Sequence, residues 1–222
     1  MSLASATNPI VSTLSGGRDT QLADLGNYFV AITPTPGTGI VGTASVQAFT
    51  QTTPVFICAN TGLLNIYPMS LRTHLTVVGA TASVAENMTF VLDNGNRFSS
   101  ISVGVALTIN NLNMGSNVGT GALCWAGGVI GTAATGAART VAHVQKKHTV
   151  IEVVHDTTTY MWGGTNAVSF SSVVGNATTP TYSAHNLPPM VIGPGQSLLI
   201  VEWAAAQTTG STNEYMFTYV EK

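Results

Sequence analysis

Five histidines, nine carboxylates and two cysteines carry most of the proton-transfer and metal-binding chemistry open to this 222-residue chain. The histidines are His74, His143, His148, His155 and His185. A zinc centre needs three or four converging ligands. His148, Glu152 and His155 come nearest to that in sequence. On a helix their spacing would place all three on one face. The run Val150-Ile151 and Val153-Val154 is β-branched and favours a strand instead. In a strand His148 and Glu152 share a face and His155 points the opposite way. The expectation is polar groups on a strand, with no metal centre.

The acids give no stronger signal. Glycoside hydrolysis needs two carboxylates flanking a groove, and the nine here are spread along the whole chain. Asp93 and Asp156 sit in turn-like sequence, where Asp serves the backbone. Glu202 alternates with Val201 and Trp203. There is no G-x-S-x-G elbow, no H-E-x-x-H, and no glycine-rich loop followed by Lys and Ser or Thr. Cys58 and Cys124 lie among apolar residues, as buried free thiols or as one bridge that spacing does not support. Trp125, Trp162 and Trp203 with Tyr160 and Tyr182 fit a sugar-stacking platform or a subunit interface. Trp203 ends an apolar strand and is expected in the core. Trp162, beside Gly163-Gly164, is the candidate exposed aromatic contact. No catalytic, cofactor-binding or metal-binding residue is assigned, no cofactor is expected, and the chain reads as a non-enzyme.

Composition says more than any motif. Charged residues make up 7% of the chain, against about 25% in an average soluble domain. Apolar residues are 45% and the mean hydropathy is +0.30. A disordered chain has the opposite balance, and a long coiled coil needs the Glu, Lys and Arg that are scarce here. The formal net charge is -2 and Lys146-Lys147 is the only basic doublet, so no nucleic-acid partner is expected. No window has 18 uninterrupted apolar residues, so no membrane helix is expected. The N-terminus lacks the basic and apolar regions of a secretory signal. So little charge protects a free monomer poorly; it suits a chain whose surface is covered in a large assembly.

The elements follow from periodicity. Residues 1–18 read as an extended arm with Ile10, Val11 and Leu14 as apolar anchors. Asp19 can cap a short helix carrying Leu22, Leu25 and Phe29. Short strands are expected at Val41–Phe49, Val55–Ala59 and at an edge around Leu64, Ile66 and Pro68. Another runs from Leu71 to Val78, with Leu71, Thr73, Leu75 and Val77 on one face. Met88–Leu92 runs into the turn Asp93-Asn94-Gly95-Asn96. Phe98–Ile109 shows the cleanest period-2 alternation, with Ile101, Val103, Val105, Leu107 and Ile109 aligned. Further strands are expected at Thr140–Val144, His148–His155, Ala167–Val174, Ser197–Trp203 and Tyr215–Val220. The short gap between the last two predicts antiparallel pairing. Residues 110–121 and 177–189 read as long loops. The sum is an all-β chain: an antiparallel β-sandwich, jelly-roll in type, at 19–222, behind the arm at 1–18.

One stretch is distinctive. Leu187-Pro188-Pro189-Met190-Val191-Ile192-Gly193-Pro194-Gly195-Gln196-Ser197-Leu198-Leu199-Ile200 leads to Trp203, then Ala206-Gln207, Ser211-Thr212 and Glu214-Tyr215 through Tyr219-Val220-Glu221-Lys222. This ending resembles that of small jelly-roll virion proteins of tailed bacteriophages, of the head decoration or cement type. There a P-x-G-Q-S/T-L turn opens the penultimate strand and the last strand ends near the C-terminus. The resemblance covers about 40 residues and carries no catalytic residues. It implies a capsid decoration protein that stabilises a phage head through contacts with the shell. Its partners would be itself, as a homotrimer, and other virion shell proteins, with assembly in the host cytoplasm. A major capsid protein and a carbohydrate-binding or adhesion module are the alternatives.

Overall fold

The computed structural model describes residues 18–42, 49–50, 52–80, 87–93, 101–130, 139–146, 156–163, 170–171, 182–205 and 207–222. Two mostly antiparallel sheets pack face to face. The larger has eight strands, in the order β13 (Phe170–Ser171), β14 (Tyr182–Leu187), β12 (Thr157–Trp162), β4 (Ile66–Val77), β16 (Thr212–Glu221), β1 (Tyr28–Ile32) and β8 (Thr108–Asn111), with β2 (Ile40–Val41) also on β16. The smaller has six: β11 (Arg139–Lys146), β5 (Asn87–Asp93), β15 (Ser197–Trp203), β3 (Phe56–Asn60), β9 (Ala122–Ala126) and β7 (Val105–Ala106). A two-stranded ribbon joins β10 (Val129–Ile130) to β6 (Ile101–Ser102). Only the β12–β14 pair is parallel among the described ladders.

The core follows from alternation. In β16, Tyr215, Phe217 and Tyr219 turn inward while Met216 is exposed. They meet Phe56 and Cys58 of β3, Leu198 and Ile200 of β15 and Phe90 of β5. The strands β3 and β15 are buried on both faces. Their second faces hold Ile57 and Leu199, which pack with Val91, with Ile130 of the ribbon and with Ile101. The ribbon thus gives the six-stranded sheet its own outer cover.

Several sequence expectations change in the folded chain. The helix, α1, spans Arg18–Asp24, so Asp19 lies inside it rather than ahead of it, and Phe29 belongs to β1. Leu22 is buried but Leu25 is exposed. Pro68 does not mark an edge strand: β4 continues through it for 12 residues. The chain tolerates this because the β12 ladder stops at Ser70, and the β16 ladder shifts register beside Pro68. Leu71, Thr73 and Leu75 are buried as expected, whereas Val77 at the strand end is exposed. Residues 177–189 do not form one loop, because β14 lies within them and pairs with β12. The strands β15 and β16 do not pair; they sit in different sheets. Sheets stack about 10 Å apart, so a few residues suffice to cross between them. The expected strand at Val41–Phe49 is described only as β2, and that at Ala167–Val174 only as β13. The turn after Asp93 and the strand at His148–His155 lie outside the described residues.

The largest difference is at Phe98–Ile109. The alternation marks neither one strand nor one face: Leu107 is buried, but Val103 and Val105 are exposed. It breaks into β6, β7 and β8, which pair with β10, β9 and β1. This segment climbs from the ribbon through the six-stranded sheet to the eight-stranded one. The first break is at Val103 (φ 63°) and Gly104 (φ 78°), and the second is at Leu107. Val103 is 76% exposed, and its carbonyl accepts a 3.2 Å hydrogen bond from the Trp125 indole. A β-branched residue in the left-handed region is strained.

Two substitutions test this account. Phe217→Ala should cost about 3–5 kcal/mol of unfolding free energy, since it empties the centre of a closed core. Val103→Gly should raise stability by about 1 kcal/mol by relieving the backbone. Urea unfolding of each variant measures both.

Candidate functional site

One end of the sandwich gathers three loops, and polar side chains tie them together. Gly26 (φ 73°) ends α1, and its N–H donates to Ala23 O at 2.9 Å. A Cβ there would fall 2.2 Å from Ser116 Oγ, so Gly26 also lets the 112–121 loop close in. Asn111 Nδ2 donates to Gly26 O at 2.9 Å and Val118 O at 3.1 Å. Asn113 Nδ2 donates to Asp24 O at 3.0 Å. Its Oδ1 accepts from Gly115 N at 3.0 Å, an Asx turn. From the other side, Asn60 Nδ2 donates to Leu64 O at 2.7 Å and Ile192 O at 2.9 Å. Thr61 donates to Gly121 O through both its N–H, at 2.9 Å, and its Oγ1, at 2.8 Å. A Cβ on Gly121 would fall 2.5 Å from Gly62 Cα, so the two loops touch backbone to backbone.

These pinned loops display apolar side chains. Leu25, Leu63, Leu64, Leu112, Met114 and Val118 are all exposed, Leu63 at 93% and Met114 at 101%. No Asp, Glu, Lys or Arg occurs between Asp24 and Arg72, nor between Arg97 and Arg139. The loop segments 61–65 and 112–121 therefore carry no charge. Large apolar groups gathered in one region of a surface mark interaction sites. The chemistry on offer at this end is dry contact, not proton transfer.

Behind the loops lies a buried polar cluster. Thr120 Oγ1 bonds the Tyr219 hydroxyl at 2.8 Å and also donates to Glu221 Oε1. Gly121 N donates to the same carboxylate oxygen at 3.1 Å. Glu221 is thereby satisfied although it is buried. The thiols of Cys58 and Cys124 complete the cluster, both free and buried. Burial first, then the Cys58 thiol and the Glu221 charge, push the Cys124 thiol well above its usual range. Burial and Cys124 raise Tyr219 against the opposing bond from Thr120. A raised thiol is a poor nucleophile at neutral pH, so Cys124 is suited to structure.

The structure corrects the aromatic site. Trp162 is not an exposed contact: it is 5% exposed, and its ring meets Phe90 and Phe217 edge-on. Gly163 follows it, but the alternation of β12 turns Trp162 into the core. A sugar platform at Trp162 loses its basis. Trp203 is half-buried, with its indole donating to Thr89 Oγ1 at 3.4 Å. His185 is buried and stacks on Tyr160 at 5.5 Å. His74 Nδ1 bonds Thr157 Oγ1 at 2.9 Å. Asp93, Asp156 and Glu202 are buried in separate places along the strands. Among the described residues no three His, Cys, Asp or Glu side chains gather as a metal would need. His148, Glu152 and His155, and the arm residues Ile10, Val11 and Leu14, lie outside the described residues. Sequence reading missed the apolar loop end, although the uncharged stretches flanking Leu63 and Met114 were a signal for it.

Neither a protein-family model, nor a curated protein, nor a solved structure matches the chain.

The buried thiol and phenol predict alkaline sensitivity. Both groups have a folded pKa above the unfolded value, so their contribution is complete below the unfolded pKa. The unfolded chain releases these protons first, starting near the ordinary values of 9.0 for a cysteine such as Cys124 and 10.0 for a tyrosine such as Tyr219. Unfolding free energy should hold to about pH 8 and then fall by up to about 1.4 kcal/mol per pH unit per group. Cys124→Ala should remove the part of the slope that begins first, and Tyr219→Phe the part that follows. Denaturant titrations across that range measure it.

Proposed function

We propose that the chain is a structural virion protein of the decoration or cement type, working as a homotrimer on a phage shell. The observation that carries this reading is the pinned loop end, charged only at Asp24 and Lys222 beside it, that displays Leu25, Leu63, Leu112, Met114 and Val118. Such an end is costly to leave in water and rigid enough to dock without losing much loop entropy. A low overall charge of 7% agrees with a surface that is covered in its working state.

A jelly roll is the finer reading of the sandwich. It is supported by the alternation of β3, β4 and β5 between the two sheets and by the return of β15 to lie between β3 and β5. A return strand of this kind is the Greek-key interleaving from which jelly rolls are built. The arm at 1–18 adds a second contact in this reading, with Ile10, Val11 and Leu14 as its anchors on a neighbouring subunit. Each anchor, fully buried, contributes roughly 1.5–3 kcal/mol before its ordering entropy is subtracted.

Sedimentation of the purified protein tests the assembly. The wild type should run as a trimer or larger at micromolar concentration. Leu63→Asp with Met114→Asp should shift it to a monomer with an unchanged far-UV circular dichroism spectrum, since both side chains are solvent-exposed on the single chain. Deleting residues 2–15 should weaken assembly at equal concentration. A wild type that stays monomeric and does not add to phage heads overturns the proposal.

A further inference from the structure

Cys58 and Cys124 stand 66 positions apart in sequence yet lie directly opposite each other across β3 and β9. Both are inside the core, at 0% and 2% exposure. The hydrogen bonds around them settle the type of pair. Leu107 N donates to Cys124 O at 3.0 Å, so that carbonyl faces away from β3. Asn60 N donates to Gln196 O at 2.9 Å, while Thr61 N donates to Gly121 O at 2.9 Å. Even-numbered residues of β3 therefore bond toward β15 and odd-numbered ones toward β9. Cys58 and Cys124 form a non-hydrogen-bonded pair, the closer of the two antiparallel kinds, with Cα atoms about 4.5 Å apart. That spacing falls within the range a disulfide accepts, about 4.4–6.8 Å. The Cys58 thiol is close enough to push the Cys124 thiol up.

We propose that Cys58 and Cys124 are an oxidative modification site that closes to an intrachain disulfide in the presence of a low-molecular-weight disulfide. The proposal is independent of the virion reading. One cysteine thiolate attacks a sulfur of the reagent; its S–S bond breaks and one reagent thiolate leaves. The second cysteine thiolate then attacks the protein sulfur of that mixed disulfide, forming the Cys58–Cys124 bond and expelling the other reagent thiolate. The protein gives up two protons and two electrons, and the reagent is reduced to two thiols. Both thiols are buried, Leu107 bonds Cys124 from the edge of β9, and Gly121 beside that strand is tied to Thr61 and Glu221, so the reagent reaches the pair through transient opening of the sandwich or during refolding. The raised Cys124 pKa makes the exchange slow at neutral pH and faster as pH rises.

The test equilibrates folded protein with excess hydroxyethyl disulfide at mildly alkaline pH. A parallel sample is refolded from denaturant in the same buffer, so that burial cannot hide the chemistry. The expected product has no titratable thiol after denaturation, a mass lower by two hydrogens, and one peptide pair joining Cys58 to Cys124. Closing a loop of this length should raise Tm by roughly 5–15 °C, reversibly with dithiothreitol. Cys58→Ser should show no link and no rise. Two free thiols in both samples, separate mixed disulfides on each cysteine, or links only between chains would each overturn the proposal.

Discussion

Phe217 holds the two sheets together. Its ring lies 5.1 Å from Phe56 of the opposite sheet, 5.4 Å from Tyr219 on its own strand and 6.1 Å from Trp162 on β12. From there the contacts extend to Phe29 through Tyr219 and to Tyr160 through Phe90. Aromatic pairs in these offset and edge-on arrangements add to the area they bury. The chain spends few charges, so its stability rests on this closed apolar layer and on backbone ladders. Central placement of β16, between β4 and β1, follows from the same need: its inward row of three aromatics must face the middle of the smaller sheet.

That constraint shapes the ends of the sandwich. With the core closed by large rings, the connections must cross from sheet to sheet at the rims. The β3–β4 and β8–β9 crossings do so in uncharged, Asn- and Gly-rich segments whose amides bond to neighbouring carbonyls. Asn60, Asn111 and Asn113 act as internal ties, so loops without regular structure are still held in place. Leu63 and Met114 are carried outward on these tied segments.

The Cys58–Cys124 pair belongs to the same design. Small side chains are needed where β9 approaches the rings of β16, and cysteine behaves there as a compact hydrophobe. Opposed across one ladder, the pair couples a packing role to a possible covalent one.

Much of the fold was legible from the chain alone. The scarcity of Glu, Lys and Arg, the period-2 runs and the Gly/Pro punctuation determined an all-β chain, and the alternation Leu71, Thr73, Leu75 identified a core face. Buried free thiols followed from their apolar flanks. Tertiary structure alone decided the rest, because pairing is a long-range property that local pattern does not encode. The alternation at 101–109 was read as one strand, yet three partners divide it, at Val103-Gly104 and again at Leu107. The last two strands are neighbours in sequence but lie in opposite sheets. Trp162 sits beside glycines that suggest exposure, and the alternation of β12, with Trp162 opposite Leu187 of β14, turns it inward. The meeting of Cys58 with Cys124, and of Gly62 with Gly121, required β3 and β9 to find each other across the chain, and no local spacing announces that.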